Sequence, residues 1–215
     1  MNNKILFSAL FIITALLWGC GSKSDQEIFY STQKHLNKIE SYTCEIEITT
    51  YGNKSPQQYV MKQWFKKPDK YKLEVIWPES LKGKTTISDG TRAWIHHPGI
   101  NQSWTMEKFL HSEEQNMFLG YFIKNCLESE GVELEKKVID REKYLRITTD
   151  IPGNHAYYHR ESLYINTKTK IPHLLQVYDA KGQLRIEVRY NTFEYNPPLE
   201  DGIFWLNSKD GTRNK

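Results

Sequence analysis

The sequence predicts a mostly β domain with two helices, its strands forming one strongly curved antiparallel sheet. Three observations predict it. Apolar and polar residues alternate with period two through most of the chain, clusters of turn-forming residues separate these runs, and only two windows carry a helical stripe. No Gly/Ser-rich or Pro-rich linker divides the 215 residues, and 39% hydrophobic with 26% charged residues is a globular composition. Lys+Arg 29 against Asp+Glu 26 leaves +3, too small an imbalance to mark a nucleic-acid-binding protein.

The first element is a leader. Lys4 precedes an apolar run from Ile5 to Trp18. That run is shorter than the roughly 20 residues of a transmembrane helix and fits the core of a secretory signal. Leu17-Trp18-Gly19-Cys20, followed by polar Gly21 to Asp25, resembles a bacterial lipobox, with Trp18 where a small residue is usual. The resemblance implies a signal peptide over 1–19, a lipidated Cys20 with a short tether over 20–24, and a single domain over 25–215. Two acyl chains hold a protein on a membrane far more firmly than one. The domain is therefore expected on the extracytoplasmic face, close to the bilayer, where nucleic acid and cytosolic nucleotides are not partners.

Residues 25–40 read as an amphipathic helix, with Ile28, Phe29, Leu36 and Ile39 on one stripe and Ser24 or Asp25 as N-cap. Tyr42, Cys44, Ile46 and Ile48 then alternate with Thr43, Glu45, Glu47 and Thr49, which is a half-buried strand. Strands follow over 58–66 and 71–77. Asp89-Gly90 sits between strands over 84–88 and 91–96, a strong hairpin signal. A strand over 103–106 leads to a second helix over 112–129, whose Met117, Phe118, Tyr121, Phe122, Cys126 and Leu127 form a wide apolar stripe. Five further strands are expected over 132–138, 144–149, 157–165, 173–178 and 184–195, about ten in all. A sheet that wide must curl to protect its edges and bury its apolar face. Tyr42, Trp64, Tyr71, Trp77, Trp94 and Trp104 are expected inside the curl. They fill the core in one reading; in the other Trp64, Trp77, Trp94 and Trp104 line a cavity or partner-binding surface.

Nothing spells out an active site. Cys44 and Cys126 fall on apolar faces, as small buried hydrophobes do, with a disulfide between them as the alternative. His96 and His97 point to opposite faces of a strand. His155 and His159, four apart on a strand, would be roughly 13 Å from each other, too far to share a metal. No HExxH, CxxC, GxSxG or P-loop pattern occurs. The chain is thus expected to be non-enzymatic, with no cofactor and no metal. The basic stretch Lys66-Lys67-Pro68-Asp69-Lys70-Tyr71-Lys72 suits either a solvated strand edge or contact with anionic headgroups.

Three features together resemble a known superfamily: the leader with one helix and a meander; the Ser88-Asp89-Gly90-Thr91-Arg92-Ala93-Trp94 hairpin; and the run from Leu163-Tyr164-Ile165-Asn166 through Ile171-Pro172, Asp179-Ala180-Lys181-Gly182 and Asn196-Pro197 to Phe204. They look like the LolA/LolB-like lipoprotein-carrier fold, an unclosed β-barrel with a helical lid. The stretch Trp94 to Ser103 and the lipobox are similar to the clostridial spore-germination lipoproteins within it. That resemblance implies a membrane-anchored, non-enzymatic protein of the spore envelope that binds and activates a spore-cortex N-acetylmuramoyl-L-alanine amidase. The alternative it leaves is an envelope carrier or acceptor holding an acyl chain, a lipid or a lipoprotein in the sheet cavity. Free sheet edges also make a homodimer by strand pairing or swapping an expectation.

Overall fold

The computed structural model describes residues 24–52, 55–109, 113–153 and 155–205, so the expected leader and Cys20 lie outside the described residues. Helix α1 (Asp25–Leu36) opens the domain. Strands β1 (Ser41–Thr50), β2 (Gln57–Lys66), β3 (Lys70–Trp77), β4 (Thr85–Ser88), β5 (Arg92–His97) and β6 (Gln102–Glu107) follow, then a 3-10 turn over Glu113–Met117 and helix α2 (Leu119–Glu128). Strands β7 (Val132–Ile139), β8 (Glu142–Asp150), β9 (Arg160–Asn166), β10 (Pro172–Tyr178) and β11 (Leu184–Tyr195) complete the sheet.

Ser24 caps α1 through a reciprocal box: its hydroxyl accepts from the Glu27 N–H at 3.1 Å, and the Glu27 carboxylate accepts from the Ser24 N–H at 2.8 Å. The helix stops at Leu36 rather than running to Glu40. The N–H groups of Lys38 and Ile39 bond three residues back, to His35 and Leu36, which tightens the last turn before β1. The expected second helix is split at Phe118, whose backbone is extended (φ −107, ψ 131). Phe118 is fully buried with its ring 4.5 Å from that of Tyr71, and this plug interrupts the helix. The strand expected from Tyr157 begins at Arg160, and the sheet has eleven strands among the described residues, one for each run read as a strand.

The strand order is β6-β5-β4-β3-β2-β1-β11-β10-β9-β8-β7, antiparallel throughout. The first and last strands pair at its centre, with Tyr42 opposite Tyr195 and Thr50 opposite Ile186. Two meanders fan out from that pair and end at β6 and β7. These two edge strands are consecutive in the chain, so their connection has to cross the open side of the curved sheet, and α2 lies in that crossing. The sheet is not closed into a barrel.

Register fixes which side chains face the helices. The row Cys44–Gln63–Leu73–Thr86–Ile95–Trp104 crosses the inner face, and the row Thr43–Trp64–Lys72–Ile87–Trp94–Thr105 crosses the outer face. One continuous core fills the inner face between sheet and helices, built from Tyr42, Ile46, Phe65, Tyr71, Leu145, Leu163, Val188 and their neighbours. A second, small core lies on the outer face, where Ile87, Trp94 and Phe204 are buried with Trp64, Leu199 and Ile203 against them.

Candidate partner-binding edge and lid cavity

Helix α2 is fixed to both halves of the sheet. On the β2 side, the buried Gln63 amide donates to the Met117 carbonyl at 3.0 Å, and its oxygen accepts from the Cys44 thiol at 3.4 Å. A side chain at Gly120 would put its Cβ only 2.1 Å from the Phe65 ring, so glycine is what lets the helix approach β2 this closely. On the β9 side, Asn125 donates to the Glu161 carboxyl at 2.8 Å. Glu161 is fully buried, and burial pushes its pKa up to about 8 against the single hydrogen bond that opposes it. Helix α1 is held by the Lys136–Asp25 ion pair at 2.6 Å and by the Lys170 ammonium, which donates to the Ser31 and Thr32 hydroxyls at 3.0 Å.

Among the described residues, two sizeable hollows lie beside α2. A cavity of about 420 Å³ opens where α2 meets the β2–β3 turn, the β4–β5 turn and the loop before β9; Asp69, Asn116, Lys124, Glu128, His155 and Tyr158 are among its lining residues. A groove of about 320 Å³ adjoins it, sharing Asp69, Lys124 and Glu128 and walled further by Ile39, Phe65, Ile123 and Leu127. Both are lined by more apolar than polar surface, and the first carries the larger polar share.

The sheet edges differ. On β7, Glu133, Glu135, Lys136 and Lys137 all form ion pairs. On β6 the one charged residue is Glu107, paired with Arg92 at 3.3 Å, and Trp104 and Met106 are 44% and 43% exposed.

The four tryptophans singled out from the sequence do not form one site. Trp64 and Trp94 are on the outer face, which corrects their expected place inside the curl. The terminal segment after β11 needs an apolar bed there: Trp205 packs 5.2 Å from Trp94, while Leu199 and Ile203 pack beside them. Lys62 and Lys72 lie over the Trp64 ring at 5.0 and 4.7 Å. Trp104 is on the inner-face row but at the bare edge, and Trp77, 49% exposed, ends β3.

The basic stretch is bound up within the fold. Lys66 and Lys70 both reach Asp201 (3.0 and 3.1 Å), Lys67 reaches Glu40 at 3.5 Å, and Lys72 reaches Glu74 at 3.1 Å. Cys44 and Cys126 are both free. Burial raises the Cys44 thiol well above its usual range and the Cys126 thiol to about 11, the opposite of nucleophile activation. His96 is held by Ser103 at 2.9 Å, and among the described residues no group of His, Cys, Asp and Glu could hold a metal ion. No helix among the described residues is long and apolar enough to cross a membrane.

Sequence reasoning misses Glu161 and Gln63, the buried polar anchors of α2. Glu161 does carry a signal, since it shares a face with Leu163 and Ile165 in a strand of alternating pattern.

Comparison with known proteins gives one family and several relatives. The family described as sporulation protein YdcC-like matches residues 1–204. Sporulation protein YdcC of Bacillus subtilis (strain 168) is 20% identical over 209 residues, 94% of this chain and 61% of that protein, so the chain spans about three-fifths of that relative's length. An uncharacterized conserved protein from Thermus thermophilus has the same fold, with a TM-score of 0.55 at 14% identity over 88% of this chain and 98% of that one. A chain in the structure of the CwlD amidase from Clostridioides difficile in complex with the GerS lipoprotein is 33% identical, covering 82% of this chain and 99% of that one, with a TM-score of 0.49.

Proposed function

The chain belongs to the YdcC-like sporulation protein family, and from that premise we propose that it is a non-catalytic envelope lipoprotein, anchored through Cys20, that binds and activates a spore-cortex N-acetylmuramoyl-L-alanine amidase. The amidase is the partner class implied by the sequence resemblance to spore-germination lipoproteins. The observation that carries a docking role is the β6 edge, which pairs with no further strand among the described residues and exposes Trp104 and Met106. Such an edge offers main-chain hydrogen bonds for affinity and apolar side chains as anchors. The interior supports the same reading, because it is filled by side chains and its lid helix is bolted at Gln63, Gly120 and Glu161.

The test is association of the full-length lipoprotein, in detergent, with the amidase of its own source, together with the rate of amide hydrolysis on cortex fragments. Installing lysines by Trp104→Lys with Met106→Lys weakens association by about 30-fold or more, as loss of aromatic anchors does at interface centres. Val138→Lys on the β7 edge leaves it unchanged. Full association by the β6 variant would overturn the edge assignment.

A second reading, an envelope carrier of an acyl chain, is favoured by the apolar groove of about 320 Å³ beside α2. It requires lipid to co-purify with the protein, and it requires Ile123→Trp, which narrows the groove, to abolish that lipid while amidase association persists.

A further inference from the structure

We infer that the cavity of about 420 Å³ at the mouth of the sheet is a binding site for a glycan segment of the N-acetylhexosamine class. This is separate from the partner at β6 and does not rest on it. Four of the lining side chains do little for the fold. Among the described residues, the side chains of Asp69, Asn116, Lys124 and Glu128 make no hydrogen bond or ion pair, so donors and acceptors stand ready around one space. Two further amides are held in place from behind. Gln115 donates to the Tyr121 hydroxyl at 3.1 Å and Asn125 donates to Glu161 at 2.8 Å, which leaves the amide oxygen of each as an acceptor with no hydrogen bond among the described residues.

The far wall is aromatic. His155 is stacked on Tyr158 with ring centroids 5.3 Å apart and planes at 19°, a flat platform at the rim.

This set of groups selects among ligand classes. An acyl chain would strip water from an ammonium, two carboxylates and three amides without replacing any hydrogen bond, which is costly for each group. Among the described lining residues, a polyanion would meet Asp69 and Glu128 against a single ammonium, Lys124. A pyranose fits. Its C–H face lies on an aromatic platform, its hydroxyls donate to carboxylates and amide oxygens, and an acetamido group pairs with a side-chain amide such as that of Asn116. The size is also right, since small-ligand sites begin at about 300 Å³.

Titration calorimetry of the full-length lipoprotein in detergent tests the site, with the N-acetylglucosamine tetrasaccharide as probe and maltotetraose, tetra-alanine and palmitate as comparisons. Saturable binding of the N-acetylglucosamine tetrasaccharide is expected, with maltotetraose weaker. Asn116→Leu and His155→Ala should each weaken it about 5- to 10-fold, the loss of one hydrogen bond or one stacking surface. Both side chains lie at or near the surface, so thermal midpoints should match the parent protein. Absence of saturable glycan binding, preference for tetra-alanine or palmitate, or undiminished binding by both variants would each overturn the proposal.

Discussion

At one end of the sheet, β7 carries Glu133, Glu135, Lys136 and Lys137 within eight residues, and each is ion-paired; at the other end, β6 carries one charge, Glu107, beside exposed Trp104 and Met106. The wings behind these edges differ in the same way. The β7–β9 wing is clamped to both helices, through Lys136–Asp25 and through Asn125–Glu161. Beyond β4, the inner face of the β6 wing ends in exposed Trp104 and Met106. Lys136 pairs in register with inward-facing Leu145, so it is an inward-pointing charge on an edge strand, which blocks a further strand from adding there. The difference teaches that a sheet with two edges unpaired among the described residues need not be symmetric in what it invites. Here one edge is shut by charge and helix, and the other is left open to a partner.

The clamp breaks most directly at Glu161. Its folded pKa of about 8 lies above the ordinary value of 4.5, so its neutral form is the one the fold favours. Stability is therefore fully present below about pH 4.5 and is lost as pH rises towards 8, by about 1.4 kcal/mol per unit, reaching about 3 kcal/mol at pH 7. Glu161→Gln keeps the acceptor for Asn125 and removes the charge. Urea midpoints measured across this range should fall for the parent protein and stay level for the variant. Parallel pH curves would mean that Glu161 is not the group that titrates against the core.

Next in size is the approach of α2 to β2. Gly120→Ala forces the new methyl into the Phe65 ring, an overpacking that costs about 1–3 kcal/mol. At Gly131, just past the same helix, an added methyl would meet nothing within 4 Å, and Gly131→Ala should stabilise by about 0.4–1 kcal/mol. Thermal midpoints moving in opposite directions for the two variants would confirm that α2 is tightly seated. If Gly120→Ala proved neutral, the lid would be mobile enough to shift away, and the carrier reading would gain.

Much of this arrangement is legible in the sequence, and the parts that are not have a common cause. Local alternation places Tyr42, Cys44, Ile46 and Ile48 on one face of β1 and marks the Asp89-Gly90 turn, whose Asp89 carboxylate accepts from the N–H groups of Thr91 and Arg92 at 2.8 Å. The pairing of β1 with β11 is a contact between chain ends, and no local pattern encodes it. Local pattern also misplaces Trp64, because both faces of β2 are apolar in part: Phe65 is inside, so its neighbour Trp64 must be outside. The clue lies far away, in Leu199, Ile203, Phe204 and Trp205, a terminal apolar cluster that has to cover something. The larger cavity beside α2 is invisible for the same reason, since its walls come from separate segments of the chain.

The smallest effect on stability should fall at Lys136, yet it probes the contrast between the edges most sharply. Its pair with Asp25 is about 45% exposed on both sides, so its loss costs at most about 1 kcal/mol. Lys136→Val removes the inward charge and leaves an apolar row that runs from Leu134 through the new side chain to Val138 along an exposed strand. That edge should then accept a second strand. In a background carrying Trp104→Lys and Met106→Lys, which shuts β6, sedimentation velocity should show concentration-dependent association only when Lys136→Val is added. Association before the lysine is removed would mean that charge on β7 is not what guards it. A variant that stays monodisperse would show that α1 protects the edge by itself, and the asymmetry of the two wings would then rest on the helix alone.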